Sequence, residues 1–181
     1  MKLTACFTIF LLALSTISAQ FIKEKAIDAS IGLGISVPYD DTSAQATGFY
    51  AQGELVLTAA KWLDLRPYMG LILAKENGDD ETGQKISAHA LLLGGKARIT
   101  APIPWVAPYL EGGVGLSIGK FQTVTLLTNI EEKGAQFHIP FSLGLELGPK
   151  HLVDLAFTYY FHPSAEQFVG AMAIGVTIPL N

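Results

Sequence analysis

The chain has 181 residues, enough for one domain of ordinary size; half of them are hydrophobic and 15% are charged. This balance excludes a disordered chain, and the net charge of −4 argues against a nucleic-acid partner, because phosphate binding needs an excess of basic residues. The mean hydropathy of +0.37 is high for a soluble domain. The single long apolar run lies at the N-terminus, however, which excludes a helical membrane protein. Eighteen glycines and nine prolines, scattered along the chain, favour short segments joined by turns and thus an all-β fold.

The first segment has the three parts of a secretory signal peptide. A basic start at Lys2 is followed by an apolar stretch over residues 4–14 and by small residues over 15–19. We expect cleavage before Gln20, so that residues 1–19 are the signal peptide and residues 20–181 form the mature domain. Because Cys6 lies in the segment to be removed, the mature domain contains no cysteine and must be stabilised by packing or by a membrane.

The mature sequence alternates large apolar residues with small or polar ones, and this period of two is typical of β-strands. The alternation predicts eight strands, with no helix of any length between them. The predicted strands cover residues 26–37, 48–60, 63–76, 86–100, 106–121, 135–148, 151–162 and 168–180.

The connections between these strands alternate in length. Residues 61–62, 101–105 and 149–150 are short turns, whereas residues 38–47, 77–85, 122–134 and 163–167 are mostly longer and more polar. Tight turns at one end and loops at the other are the pattern of an up-and-down membrane barrel, with the turns on the periplasmic side.

The volume of such a barrel indicates which face points outward. The apolar face of the eight strands carries on the order of forty large side chains, whereas the interior of an eight-stranded barrel holds roughly a dozen. We therefore expect the apolar face to contact lipid and the small-residue face to line a narrow lumen. In the fourth strand this places His89 outside and the following residues inside: Ala88, Ala90, Leu92, Gly94, Lys96 and Arg98.

Aromatic residues cluster at both ends of the predicted strands. Trp62 and Trp105 lie at short turns. The aromatic residues at the loop ends are Phe49, Phe121, Phe137, Tyr159, Phe161 and Phe168. Two such belts are expected where a barrel meets the two membrane interfaces.

Eight strands after a signal peptide, with turns and loops alternating, resemble the small outer-membrane β-barrel family of the OmpA/OmpX type. The resemblance implies an all-β, eight-stranded antiparallel up-and-down transmembrane β-barrel in the outer membrane of a Gram-negative cell envelope. It also implies outer-membrane lipid, lipopolysaccharide and the barrel-assembly machinery as partners. No cofactor is expected, and the acidic loops lack the ligand spacing of a calcium loop, so no metal is expected either. The partner of the loops stays open.

Ionisable residues cluster on the predicted lumenal face. In a closed barrel they must pair, because an unpaired buried charge costs several kcal/mol. We expect a salt-bridged plug, and a narrow channel for protons or small solutes is the alternative. The predicted ionic network consists of Asp28, Glu54, Asp64, Arg66, Lys96, Arg98, Glu111, Glu146 and Asp154. The polar rings beside it are Tyr50, Tyr68, Tyr109, His138 and Tyr160.

The sequence His162-Pro163-Ser164 resembles the His-x-Ser motif of the outer-membrane lipid A 3-O-deacylases, which are also eight-stranded barrels. This resemblance implies His162 as a base and Ser164 as a nucleophile toward an ester. The Asn that follows the Ser in that family is Ala165 here, and the strand that carries the family's Glu has no matching acid. By parity His162 also faces the lumen. We therefore expect a non-enzymatic barrel with a structural or surface-interaction role; the deacylase and the channel are the alternatives.

Overall fold

The computed structural model describes residues 21–38, 45–76, 85–124, 129–163 and 167–180. Each strand pairs antiparallel with the next and the last pairs with the first, so the sheet is a closed barrel and the predicted fold class is confirmed. The strands are β1 (Glu24–Pro38), β2 (Ala46–Ala60), β3 (Leu63–Glu76), β4 (Lys85–Thr100), β5 (Trp105–Val124), β6 (Asn129–Gly148), β7 (Val153–Phe161) and β8 (Gln167–Leu180). The predicted signal peptide and its cleavage site lie outside the described residues.

None of the helical structure in the described ranges is long and apolar enough to cross a membrane.

The hairpin of β5 and β6 is longer than the sequence predicts. Residues 122–134 were expected to form a loop, but pairing continues to Val124 opposite Asn129. The polar composition of this stretch hides its strand character. Glu131 makes ion pairs with Lys120 of β5 at 3.2 Å and with Lys133 of its own strand at 2.5 Å, so exposed charges occupy the extension where apolar alternation is weak.

Side chains alternate between the two faces as the pattern predicts. In β6, Leu143 is 49% exposed on the outside, whereas the neighbouring Ser142 is fully buried and shares a hydrogen bond with Thr158. In β4, His89 is exposed, whereas the residues predicted to face inward are buried, with Gly94 half-buried. The buried residues are Ala88, Ala90, Leu92, Lys96 and Arg98. The predicted facing of this strand is thus confirmed.

The aromatic residues follow the two predicted belts with one exception. Trp62 and Trp105 are exposed at the turn end. Phe49, Phe137, Phe161 and Phe168 are exposed toward the loop end, and Tyr159 packs beside Phe168. The prediction for Phe121 was wrong: its side chain is 1% exposed and packs inside against His162. Phe121 lies an even number of residues from the inward-facing Glu111 on β5, so its side chain also points inward. Its closeness to the loop does not change this direction.

The interior changes character along the barrel axis. Charged side chains fill the half nearer the short turns, and tyrosines and histidines occupy the middle. In the half nearer the loops the apolar side chains Ile72, Ile86, Phe121 and Val169 are all at most 1% exposed. The polar side chains of Ser36, Thr123 and Gln136 are buried in this half as well. The ionic network expected from the sequence therefore accounts for only part of the interior.

Candidate functional site

Three buried cations each contact more than one carboxylate in the ionic half of the interior. Lys96 Nζ donates to Glu54 at 2.6 Å and to Glu111 at 2.7 Å. Arg98 donates from Nε to Glu111 at 2.6 Å and from Nη1 to Glu146 at 2.9 Å. Arg66 Nε bonds to Glu54. Because each charge is held by several hydrogen bonds, the desolvation cost of burying it is offset within the cluster.

The strand register brings these residues together. Arg66 of β3 lies opposite Lys96 of β4, and Arg98 lies opposite Glu111 of β5. Inward positions on neighbouring strands are direct cross-strand neighbours, so charges on this parity meet side by side around the wall. Pairs of like charge, such as Arg66 and Lys96, are separated by the carboxylate of Glu54 that both of them contact.

Two aspartates complete the cluster at its edge. Asp28 accepts a hydrogen bond from Thr177 at 2.6 Å and lies 3.4 Å from Arg66 Nη2. Asp154 accepts one from Tyr109 at 2.9 Å and lies 4.0 Å from Arg98 Nη2. The structure thus joins eight of the nine residues of the predicted network. They are Asp28, Glu54, Arg66, Lys96, Arg98, Glu111, Glu146 and Asp154.

Asp64 is the predicted member that stays apart. Its side chain is half-buried near the turn end, and no cation among the described residues lies within 4.0 Å of its carboxylate. The eight joined residues comprise five carboxylates and three cations, which leaves two negative charges in excess.

A second cluster lies above the charges and consists of hydrogen-bonded rings. Tyr68 bonds to His138 Nε2 at 2.5 Å. His138 Nδ1 and His162 Nε2 both lie 2.7 Å from the Ser117 hydroxyl, and His162 Nδ1 is 3.2 Å from the carbonyl oxygen of Tyr160. Four side chains from three strands and the residue after β7 therefore form one chain of hydrogen bonds.

If both imidazoles are neutral, the carbonyl of Tyr160 at the end of the chain fixes which atom donates in every hydrogen bond. The Tyr160 carbonyl can only accept, so His162 Nδ1 donates to it and His162 Nε2 accepts from Ser117. The Ser117 oxygen then accepts from His138 Nδ1, and His138 Nε2 accepts from Tyr68. The protons all point from Tyr68 toward the carbonyl of Tyr160.

Glycine at position 115 makes room for this chain. A Cβ atom there would overlap the Tyr68 hydroxyl and His138 Nε2. Gly115 lies directly opposite His138 in the β5–β6 register. The Tyr68 hydroxyl occupies the space that a side chain at position 115 would need. A small residue in the lumen therefore serves a specific contact.

A second chain connects the rings to the charges. Tyr50 and Tyr160 share a hydrogen bond of 2.9 Å, Tyr160 donates to Gln52 at 2.8 Å, and Gln52 donates to Glu54 at 2.6 Å. Gln52 and Ser117 are not among the residues predicted from the sequence. Their lumenal parity was the available signal, but parity alone does not show which inward side chains meet.

The structure gives His162 a different serine from the one in the predicted motif. The His162 ring is fully buried, points into the barrel and bonds to Ser117 of β5. The proposed nucleophile Ser164 lies outside the described residues. His162 therefore faces the lumen, as its parity predicted, and its Nε2 is occupied by a lumenal hydroxyl.

No family model matches the chain, and no curated protein matches it. Solved structures do share its fold. Neisserial surface protein A aligns with 86% of this chain and 97% of its own at a TM-score of 0.61 and 12% identity. The N-terminal β-barrel domain of Pseudomonas aeruginosa OprF aligns with 87% and 99% at a TM-score of 0.52 and 9% identity. Ail, the attachment invasion locus protein of Yersinia pestis, aligns with 87% and 100% at a TM-score of 0.51 and 13% identity. The chain therefore has the fold of the small eight-stranded outer-membrane β-barrels, as its sequence pattern indicates.

Proposed function

We propose that the protein is a non-enzymatic barrel of the outer membrane that braces its own interior and presents an interaction surface at its loop end. The outward face supports the location, because its exposed side chains between the two tryptophans and the loop-end phenylalanines are almost all large and apolar. Such a band needs lipid around it. The expected partners are outer-membrane lipid, lipopolysaccharide and, during insertion, the barrel-assembly machinery.

The filled interior supports a structural rather than a conducting role. Charged side chains pair with one another in one half, hydrogen-bonded rings fill the middle, and apolar side chains pack together in the other half. Eight strands enclose only enough space for such side chains. In this proposal the network holds the wall together and leaves no continuous water path.

One observation carries the surface role: β6 extends ten residues beyond its pairing with β7 at the loop end. The pairing of β6 with β7 begins at Ile139 opposite Phe161, whereas its pairing with β5 extends to Asn129. Among the described residues, no strand pairs with residues 129–138 of β6 on the side of β7. Backbone groups on such an edge are available to an extended segment of a partner.

Charges on the protruding edge favour selective contacts. Glu131 and Lys133 lie on it and are exposed, and charged side chains on an edge strand oppose indiscriminate pairing.

Membrane fractionation tests the location. The protein should remain with outer membranes, and an unheated sample should migrate differently from a boiled one on SDS gels, because folded barrels resist the detergent. Recovery in the soluble periplasmic fraction would contradict the proposal.

Two further measurements separate the alternatives. The lipid A of cells expressing the wild type, Ser164→Ala or His162→Ala should carry the same acyl chains; loss of an ester-linked chain only with the wild type would establish the deacylase. Planar-bilayer recordings should show no conductance steps, and regular steps would establish the channel.

A further inference from the structure

The outward face of the barrel carries basic side chains at the loop end of four neighbouring strands. On each of these strands the basic group lies beyond the last large apolar side chain of the lipid-facing band. The basic groups are Lys75 on β3, His89 on β4, Lys120 on β5 and Lys133 on β6. The apolar side chains that precede them on the same face are Leu73, Leu91, Ile118 and Phe137. These four basic residues form a patch at the upper edge of the band, named the basic patch below.

The other four strands differ at this level. Within the described ranges, the outward positions nearest the loops on these strands are uncharged. They are Val37 on β1, Thr47 on β2, Phe161 on β7 and Phe168 on β8. The basic patch therefore covers one side of the barrel and is not a uniform rim.

Three of the four basic groups are direct cross-strand neighbours. His89 lies opposite Lys120, and Lys120 lies opposite Lys133. Lys75 lies opposite Ser87, one step along the same face from His89. Side chains that face each other in this way have Cβ atoms roughly 5 Å apart, and like charges at such positions destabilise a sheet. The register thus concentrates positive charge where stability alone would separate it.

Glu131 offsets only part of this charge. Its carboxylate lies 3.2 Å from Lys120 Nζ and 2.5 Å from Lys133 Nζ. The two lysine side chains are nevertheless 44% and 66% exposed, and each ammonium has three hydrogens to donate. Three lysines and one glutamate leave two positive charges in excess, so the basic patch has both the charge and the free donors to bind an anion.

The height of the basic patch matches the lipid head groups around the barrel. Phe137 belongs to the loop-end aromatic belt, and Lys133 lies four residues beyond it on β6. A strand rises roughly 3.3 Å per residue and is tilted by about 40° in such barrels, which places Lys133 roughly 10 Å above Phe137. Aromatic belts mark the membrane interface, so the lysines lie in the layer of head groups and face sideways into it.

We propose that the basic patch binds the phosphate groups of lipid A in the outer leaflet. This inference rests on the proposed outer-membrane location, which puts the loop end in the leaflet that contains lipopolysaccharide. One phosphate accepts charge-assisted hydrogen bonds from Lys120 and Lys133, in competition with Glu131. Lipid A carries a phosphate at each end of its sugar backbone, and the spread of the basic patch from β3 to β6 suits a head group with two phosphates.

Binding can be measured on the folded protein in phosphatidylcholine nanodiscs that contain increasing mole fractions of diphosphoryl lipid A. We expect saturable shifts of the amide signals of His89, Lys120 and Lys133, whereas those of Val37 and Phe161 on the other side of the barrel should not move. Monophosphoryl lipid A should need a roughly tenfold higher mole fraction for half-saturation, because it lacks one charge-assisted contact. Phosphatidylglycerol at equal total charge should bind at least as weakly.

Three variants test the assigned contacts. The double variant Lys120→Gln/Lys133→Gln should raise the half-saturating fraction of diphosphoryl lipid A by roughly tenfold or more. Lys61→Gln/Lys150→Gln removes the same charge at the turn end and should leave it unchanged. Glu131→Gln should lower it by about threefold, because the competing carboxylate of an exposed ion pair is gone. Heat-modifiable mobility on gels verifies that each variant is folded.

Undiminished binding by Lys120→Gln/Lys133→Gln would overturn the proposal. Equal half-saturation with phosphatidylglycerol would overturn it as well, since the basic patch would then be a surface for any anionic lipid. An inserted, heat-modifiable barrel that shows no saturable shifts contradicts this inference alone. A protein that does not enter nanodiscs contradicts the proposed location and this inference together.

Discussion

The Ser117 hydroxyl lies between two imidazoles, 2.7 Å from His162 Nε2 and 2.7 Å from His138 Nδ1. Ser117→Ala leaves both nitrogens without their partner inside the barrel. We expect a loss of about 1–3 kcal/mol in the free energy of unfolding, the usual cost of a buried polar group left unsatisfied. Urea unfolding in lipid vesicles measures it.

Ser142→Ala is the matched control, because Ser142 is equally buried but makes one side-chain hydrogen bond, to Thr158 at 2.9 Å. Its loss should be smaller than that of Ser117→Ala. Equal losses would show that the chain of rings contributes no more than an isolated pair.

Lys96 separates the carboxylates of Glu54 and Glu111. Lys96→Met removes the cation and leaves both acids buried, which should cost about 3–5 kcal/mol. Lys120→Met breaks an exposed pair with Glu131 and should cost about 0–1 kcal/mol. A similar unfolding free energy for the two variants would refute a bracing role for the buried cluster.

Leu143 lies on the outward face of β6, well inside the two aromatic belts. Leu143→Arg should destabilise the inserted barrel by about 2–4 kcal/mol, because an arginine at the bilayer midplane is costly. The comparison is Ile103→Arg in the turn before β5, where about 0–1 kcal/mol is expected. Folding yield into vesicles reports the same order, and tolerance of Leu143→Arg would place this face away from lipid.

Gly115 and Gly112 lie three residues apart on β5 and differ in the space around them. Gly115→Ala should cost about 1–3 kcal/mol, because the new methyl group overlaps Tyr68 and His138. At Gly112 a Cβ meets no atom within 4 Å, so Gly112→Ala should be neutral or slightly stabilising. The prediction fails if both variants unfold at the same urea concentration.

The class of fold and the facing of the strands can be predicted from the local sequence pattern. The alternation from Ile27 to Ile35 and around Leu143 is a local property, since successive side chains of any strand point to opposite faces. Counting the large apolar residues then decides that they lie outside, because eight strands cannot enclose them.

Which inward residues meet, and where the strands end, depends on the folded barrel. The chain from Tyr68 to His162 joins residues 70 and 45 positions apart across the barrel, and these contacts depend on the register of several strands at once. The extension of β6 to Asn129 rests on backbone pairing with β5, which hydrophobic alternation in this polar stretch does not reveal. Asp64 shares the parity of the charged cluster and lies opposite Arg98 in the register, but Arg98 bonds to Glu111 and Glu146 and makes no ion pair with it. The direction of a side chain, inward or outward, is set by its position along one strand. Its contacts depend on distances across the lumen, so only the folded barrel specifies the site.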